Sequence, residues 1–277
     1  MTSKGRQSTR RRTAWIAAAA LLFLAAGSSR AVDGVIEINA ARATAGGVTP
    51  GDAPGFPVTL DAPGSYRLTS DLVPAGSSGI EIAADGPVTL DLNGFSIRGP
   101  GSCSLSSTNL TCSGTLGVGI DVLSPTEWIV IRNGQIHGMA AGIDAIAIPA
   151  TIENVSVWEN GGRGIEINGG GRIAGCRVER NGGTEGIYVG GFLKDILITN
   201  TSVYGNKGNG INTAGANGVL RGNVIRENGG WGLVSEFLNS PTAAPAYTEN
   251  HFTGNSAGNV RGGTGLGDNL CGSSLCP

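Results

Sequence analysis

The sequence predicts an all-β solenoid: a coil of short parallel strands, about eight rungs long, with a short helix capping its N-terminal end. Three observations predict it. First, a Gly-Ile or Gly-Leu pair recurs at Gly119-Ile120, Gly142-Ile143, Gly164-Ile165, Gly186-Ile187, Gly210-Ile211 and Gly232-Leu233, in steps of 23, 22, 22, 24 and 22 residues. A fixed period in this range marks stacked repeats. Second, each repeat is too short for a strand–helix–strand unit, and its apolar residues alternate with period two, not 3.6. Third, glycine reaches 48 of 277 residues while aromatics stay at 5%. Such a composition would suit a disordered chain, except that Ile/Val strands between the glycines supply a core.

The first 31 residues read as a targeting segment. Arg10, Arg11 and Arg12 precede an apolar run, Ala14–Ala26, of 13 residues, too short to span a bilayer. Ser29-Arg30-Ala31 offers a cleavage site, and Arg11-Arg12-Thr13-Ala14-Trp15 loosely resembles a twin-arginine signal. The expectation is an exported chain, periplasmic, secreted or on the cell surface, starting near Val32 and with no membrane span after cleavage. Residues 32–57 are then a cap and linker. Asp33 is a candidate N-cap for a short helix over Val32–Ala45, with Ile36, Ala40 and Ala43 on one face; Gly46–Pro57 is Gly/Pro-rich linker.

The coil is expected over residues 58–260. Val58–Leu60 and Tyr66–Leu68 read as short strands about the turn Ala62-Pro63-Gly64. The repeats proper begin at Gly79-Ile80. The long interval to Ile120 is filled by a Ser/Thr-rich insertion between Cys103 and Cys112. The second strands align as Gln135-Ile136, Val155–Val157, Cys176–Val178, Thr201–Val203, Asn223–Ile225 and Asn250–Phe252. A Pro/Ala-rich insertion, Phe237–Tyr247, breaks the last repeat, and 261–277 form a tail.

In an exported chain the cysteines become readable. Cys103 with Cys112, and Cys271 with Cys276, each close a short local loop and are expected disulfides. Cys176 is left over and is read as a buried free thiol.

Stacking sets equivalent residues about 4.8 Å apart. The Ile and Val positions then form continuous inner columns. Asn160, Asn181, Asn206, Asn228 and Asn255 form a third, at a bend where Asn tolerates left-handed backbone and each amide can bond to the next rung. Glycine before each Ile fits a corner with no room for a Cβ.

The phrase x-Asn-x-x-Val-x-x-Asn-x-Gly-x-Gly-Ile resembles the repeat of right-handed parallel β-helix proteins of the pectate-lyase-like superfamily, from about Gly79 to Val260. The resemblance implies a single-stranded right-handed parallel β-helix. It implies no single activity, because the superfamily holds polysaccharide lyases, glycoside hydrolases, epimerases and members without known chemistry. The hydrolase signature of Asn-Thr-Asp, Asp-Asp, Gly-His-Gly and Arg-Ile-Lys is missing; Ile136-His137-Gly138 is only a fragment of it. The Asp-Pro-His of the epimerases is missing too. A lyase would need an Arg or Lys base, for which Arg163 and Arg172 are unselected candidates.

Two outward columns follow from the register. After each Ile or Leu stand Glu81, Asp121, Asp144, Glu166, Tyr188, Asn212 and Val234. Like charges about 5 Å apart repel by about 3 kcal/mol at an effective dielectric of 20, so this stack either raises some pKa values or recruits a cation such as Ca²⁺. Asp121, Asp144 and Glu166 are the candidate catalytic carboxylates. The second column reads Arg98, His137, Trp158, Glu179, Tyr204, Arg226 and Thr253. His137, Trp158, Glu179, Tyr204 and Arg226, with Tyr188, are candidate sugar-binding residues, since aromatic faces suit C–H surfaces and charged groups suit hydroxyls. The plainer reading of both columns is a solvated sheet face.

A net charge of −2 with 14% charged residues gives no basic footprint for nucleic acid. The first expectation is therefore a monomeric polysaccharide-interacting coil. A lyase or hydrolase using the acidic column, and a structural or adhesive solenoid, are the alternatives.

Overall fold

A computed structural model describes residues 34–106, 109–123, 128–145, 149–190, 194–235 and 244–276. The segment expected to be a targeting signal, Asp33 and most of the Phe237–Tyr247 insertion lie outside the described residues. From Gly34 onward the chain is one unit, and it is a coil of parallel strands. One nine-stranded sheet runs in a single direction from Val58–Leu60 through Ile80–Ile82, Leu116–Val122, Met139–Ala145, Ile165–Ile167, Glu185–Val189, Asn209–Asn212 and Trp231–Val234 to Gly258–Arg261. A larger sheet wraps the rest of each rung. It comprises two bands that merge in the longest strands, Ile129–His137 and Ala150–Trp158.

The register is the one read from the repeat. Ile80, Ile120, Ile143, Ile165, Ile187, Ile211 and Leu233 are successive partners and all are fully buried. Ile97, Ile136, Val157, Val178, Val203, Ile225 and Phe252 make the second inner column. The corner glycines have the expected cause. A Cβ on Gly142 would lie 2.3 Å from the Gly164 carbonyl oxygen and 2.3 Å from Val157.

The Asn column is buried and bonded along the axis. Asn160, Asn181, Asn206, Asn228 and Asn255 pass side-chain bonds of 2.9–3.0 Å from each Nδ2 to the Oδ1 of the next rung. The same Oδ1 also accepts the backbone N–H of the asparagine one rung before. The expectation that these asparagines themselves take the left-handed backbone is not met. That conformation belongs to the residue just before each of them: Glu159 (φ 51°), Arg180 (φ 49°), Gly205 (φ 61°), Glu227 (φ 53°) and Gly254 (φ 64°). The bend turns one position earlier so that the amide points inward.

A second ladder runs in parallel. Cys176, Thr201, Asn223, Asn250 and Asn269 are buried. The backbone N–H of each of the first four donates to the side-chain oxygen of the next. Again the preceding residue is left-handed, as at Gly175, Asn200, Gly222, Glu249 and Asp268. Cys176 thus occupies a ladder position as a buried free thiol, its pKa pushed up to about 11 by burial.

The cap differs from the sequence reading. Val35–Ile38, including Ile36, is a strand paired with Gly64–Leu68. The helix is confined to Ala40–Ala45 and is capped by Asn39, whose side chain accepts the Arg42 N–H; Asp33 is not the cap. Asn39 wins because the paired strand holds the preceding residues extended, so the first free N–H groups fall one turn later. The edge strand Val58–Leu60 is closed by side chains. Asp52 accepts the Thr59 N–H at 2.8 Å and Thr49 donates to the Thr59 carbonyl at 2.6 Å, which blunts an edge open to pairing.

Both expected disulfides are present, Cys103–Cys112 and Cys271–Cys276. The first staples an antiparallel hairpin, Ser102–Ser106 with Asn109–Ser113. The second closes a two-stranded turn, Leu270–Cys271 with Ser274–Leu275, on the last rung of the larger sheet. Among the described residues no helix is long and apolar enough to cross a membrane.

Candidate functional site

The acidic column falls on the outward side of the nine-stranded sheet. Glu81, Asp121, Asp144, Glu166, Tyr188 and Asn212 are successive register partners. The backbone dictates this: inward Ile residues flank each position, so the residue between them must point out.

The carboxyls are not equivalent. The pKa of Asp144 is pushed up to about 6, first by burial, then by Glu166 and Asp121, with Arg163 opposing. Its Oδ1 is sealed from solvent and has no hydrogen-bond partner. The pKa of Asp121 is raised by burial, and that of Glu81 by burial and then by Asp121. Glu166 differs because it has a cation. Arg163 donates to it at 2.8 Å and Asn168 at 3.2 Å.

Arg163 is the residue that sequence reading left unselected. It lies one position before the corner glycine, in a second outward column reading Val118, Ala141, Arg163, Glu185 and Asn209. Its Nε donates to buried Glu185 at 2.8 Å, and its guanidinium lies 4.2 Å from the Tyr188 ring centroid. Burial works to lower its pKa, but Glu185 and Glu166 outweigh it and hold the pKa up. Reading the residue two before each Ile as a column of its own would have found the group. Arg172 lies elsewhere, paired to Glu153.

Among the described residues no three of His, Cys, Asp or Glu converge closely enough to hold a metal ion. Side chains one rung apart point outward side by side, so the stack gathers charge without forming a cage.

The second column also keeps its register: Arg98, His137, Trp158, Glu179, Tyr204, Arg226 and Thr253. Two of its aromatic rings have one face covered. His137 and Trp158 stack on each other, centroids 4.1 Å apart and planes 12° apart. Arg226 covers Tyr204 at 4.3 Å. Glu179 is buried and receives Arg177 Nε at 2.6 Å. The His137 pKa is lowered by burial first and then by Arg98, with Asp71 opposing. The two columns lie on different sheets, so Tyr188 belongs with the acidic group and not with Tyr204.

Residues 118–269 match the family described as right handed beta helix region. That is more than half of the chain, and the chain belongs to this family. No curated protein and no solved structure matches the chain.

Proposed function

We propose that the chain acts on a polysaccharide at the outward face around Asp144, with Asp144 as general acid and Asp121 as its partner carboxyl. The observation that carries this reading is the Asp144 carboxyl itself. It is half-buried, has one orphaned oxygen, and keeps its proton up to about pH 6 beside an arginine-bound carboxylate. Glycoside hydrolysis needs one carboxyl that keeps its proton beside a second; burial raises both here, and Glu166 raises Asp144 further, so Asp144 is the proton donor of the two. Asp121 stands one rung away, at a strand spacing of about 4.8 Å, close to the separation of a retaining pair, about 5–5.5 Å. Hydrolysis is favoured over elimination because Arg163, the arginine beside Asp144, is bound by two carboxylates and so makes a poor base. An exported setting belongs to the same proposal and is supported by the two disulfides, which suit an oxidising compartment.

A reducing-end assay over neutral and uronate polysaccharides, run across the acidic range, tests the reading. Asp144→Asn should lower the rate by about 10²-fold or more, the usual contribution of a positioned acid. Hydrolysis that survives in both Asp144→Asn and Asp121→Asn would remove this face from the mechanism. Unsaturated products would point to elimination.

A further inference from the structure

The larger sheet carries a notch on its outer face, away from Asp144. Along one outward column the register runs Ser96, Gln135, Ser156, Arg177 and Ser202. Ser156 is short and stands between two long side chains. The gap above it is a hollow of about 340 Å³, lined by Gln135, Ser156, Trp158, Arg177, Glu179 and Arg180. That size lies at the lower end of small-molecule clefts.

Trp158 is fixed at the hollow by the stacked His137 on the preceding rung. The charges at the hollow are matched in pairs. Arg177 Nε bonds Glu179 at 2.6 Å, and Arg180 Nη2 bonds Glu159 at 2.9 Å. What remains is an indole wall with amide, hydroxyl and guanidinium donors and carboxylate acceptors, carrying no net charge.

We propose that this notch binds an uncharged glycan lying along the coil axis, and that it anchors polymer without cutting it. Its lining residues come from three successive rungs, about 10 Å between the outer two, so it takes more than one sugar ring. Vicinal hydroxyls donate to Glu179 and accept from Arg177 and Gln135, and sugar C–H groups lie against the indole. A polyanion gains little, because each guanidinium already holds a carboxylate. The inference shares a polymer class with the Asp144 reading but uses a different sheet and different residues.

Calorimetry on the full chain tests it, with hexamers of β-1,4-linked glucose, xylose and mannose and a galacturonate hexamer as probes, at low and high salt. At least one neutral hexamer should bind, with little salt dependence. Ser156→Arg fills the hollow and should weaken binding by about tenfold or more, close to 1.4 kcal/mol; Trp158→Ala should do the same. Ser202→Arg places the same side chain two rungs along and should leave binding in place. Thermal unfolding of Ser156→Arg close to that of Ser202→Arg separates lost binding from lost fold. Binding of the galacturonate hexamer alone, no binding of any hexamer, or an unaffected Ser156→Arg would each overturn the proposal. Hydrolysis lost in Asp144→Asn with hexamer binding retained would leave the two sites independent. Binding without hydrolysis in the unaltered chain would remove only the Asp144 reading.

Discussion

Replacing Asn181 by Ala removes the middle of the first ladder. The Asn181 side chain makes four hydrogen bonds. Its Oδ1 accepts the Asn160 backbone N–H at 3.1 Å and the Asn160 Nδ2 at 3.0 Å. Its Nδ2 donates to the Val157 carbonyl at 3.1 Å and to Asn206 Oδ1 at 3.0 Å. The residue is fully buried, so water cannot replace what is lost. At about 1 kcal/mol per bond the loss is about 4 kcal/mol, and the Asn160 N–H left without its acceptor adds to it. Against a domain stability of about 5–15 kcal/mol, that is a large fraction. Urea unfolding followed by tryptophan fluorescence reads the loss, and amide exchange at Asn160 localises it. Asn181→Asp is the control. It keeps an acceptor for Asn160 but turns an oxygen towards the Val157 carbonyl, so its deficit should shrink as pH falls and the carboxyl regains a donor. A loss below about 1 kcal/mol in Asn181→Ala would refute the reasoning, because it would mean that the ladder bonds are readily replaced.

Four further outcomes are expected. Thr201→Val should cost about 2 kcal/mol in the same urea assay, since Cys176 N–H loses its acceptor while side-chain volume is kept. Gly142→Ala should cost about 3 kcal/mol from overpacking, whereas Gly94→Ala, with nothing within 4 Å of its Cβ, should cost only its left-handed strain, about 1 kcal/mol; equal losses would contradict the corner argument. The folded pKa of Asp144, about 6, lies above its ordinary value of 3.8. Its stabilising contribution is therefore complete below about pH 4 and is lost as pH rises through about 6. Asp144→Asn should flatten the stability–pH curve in that window, and an unchanged slope would contradict the shift. Cys176 should resist thiol reagents in the native chain and react once urea unfolds it; rapid native labelling would defeat the buried assignment.

The column register was readable because two constraints act on every rung. A Gly with no room for a Cβ and an Ile that must point inward repeat together, so the outward residues between them followed without ambiguity. The left-handed positions were harder to read. Their occupants are Glu159, Arg180 and Glu227 at some rungs and Gly205 and Gly254 at others, and only the interchange of glycine with long polar residues at one register betrays them. The second ladder was hidden by its chemistry, since Cys, Thr and Asn all occupy it. Arg163 was missed for a related reason: its column reads Val, Ala, Arg, Glu, Asn, with no repeated type to mark it as a surface. At the N-terminus the pairing of Val35–Ile38 with a strand almost thirty residues later overrode a local helix signal.

Between ladder residues the bonds of both ladders run one way, each donor lying one rung before its acceptor. Such a chain ends in a donor with nowhere to go unless something local absorbs it. Asn255 spends its two Nδ2 protons on the Ile225 carbonyl and on Asn259, four residues on in the same loop. Asn269 spends its two on the Tyr247 and Gly267 carbonyls. The ladders are thus terminated by their own turns. A rung duplicated in the middle would join the chain without altering its ends, while these last loops act as full stops. Length is written at the C-terminal end of the coil, where the last side-chain amides of these inner columns have both protons engaged and offer none to a further rung.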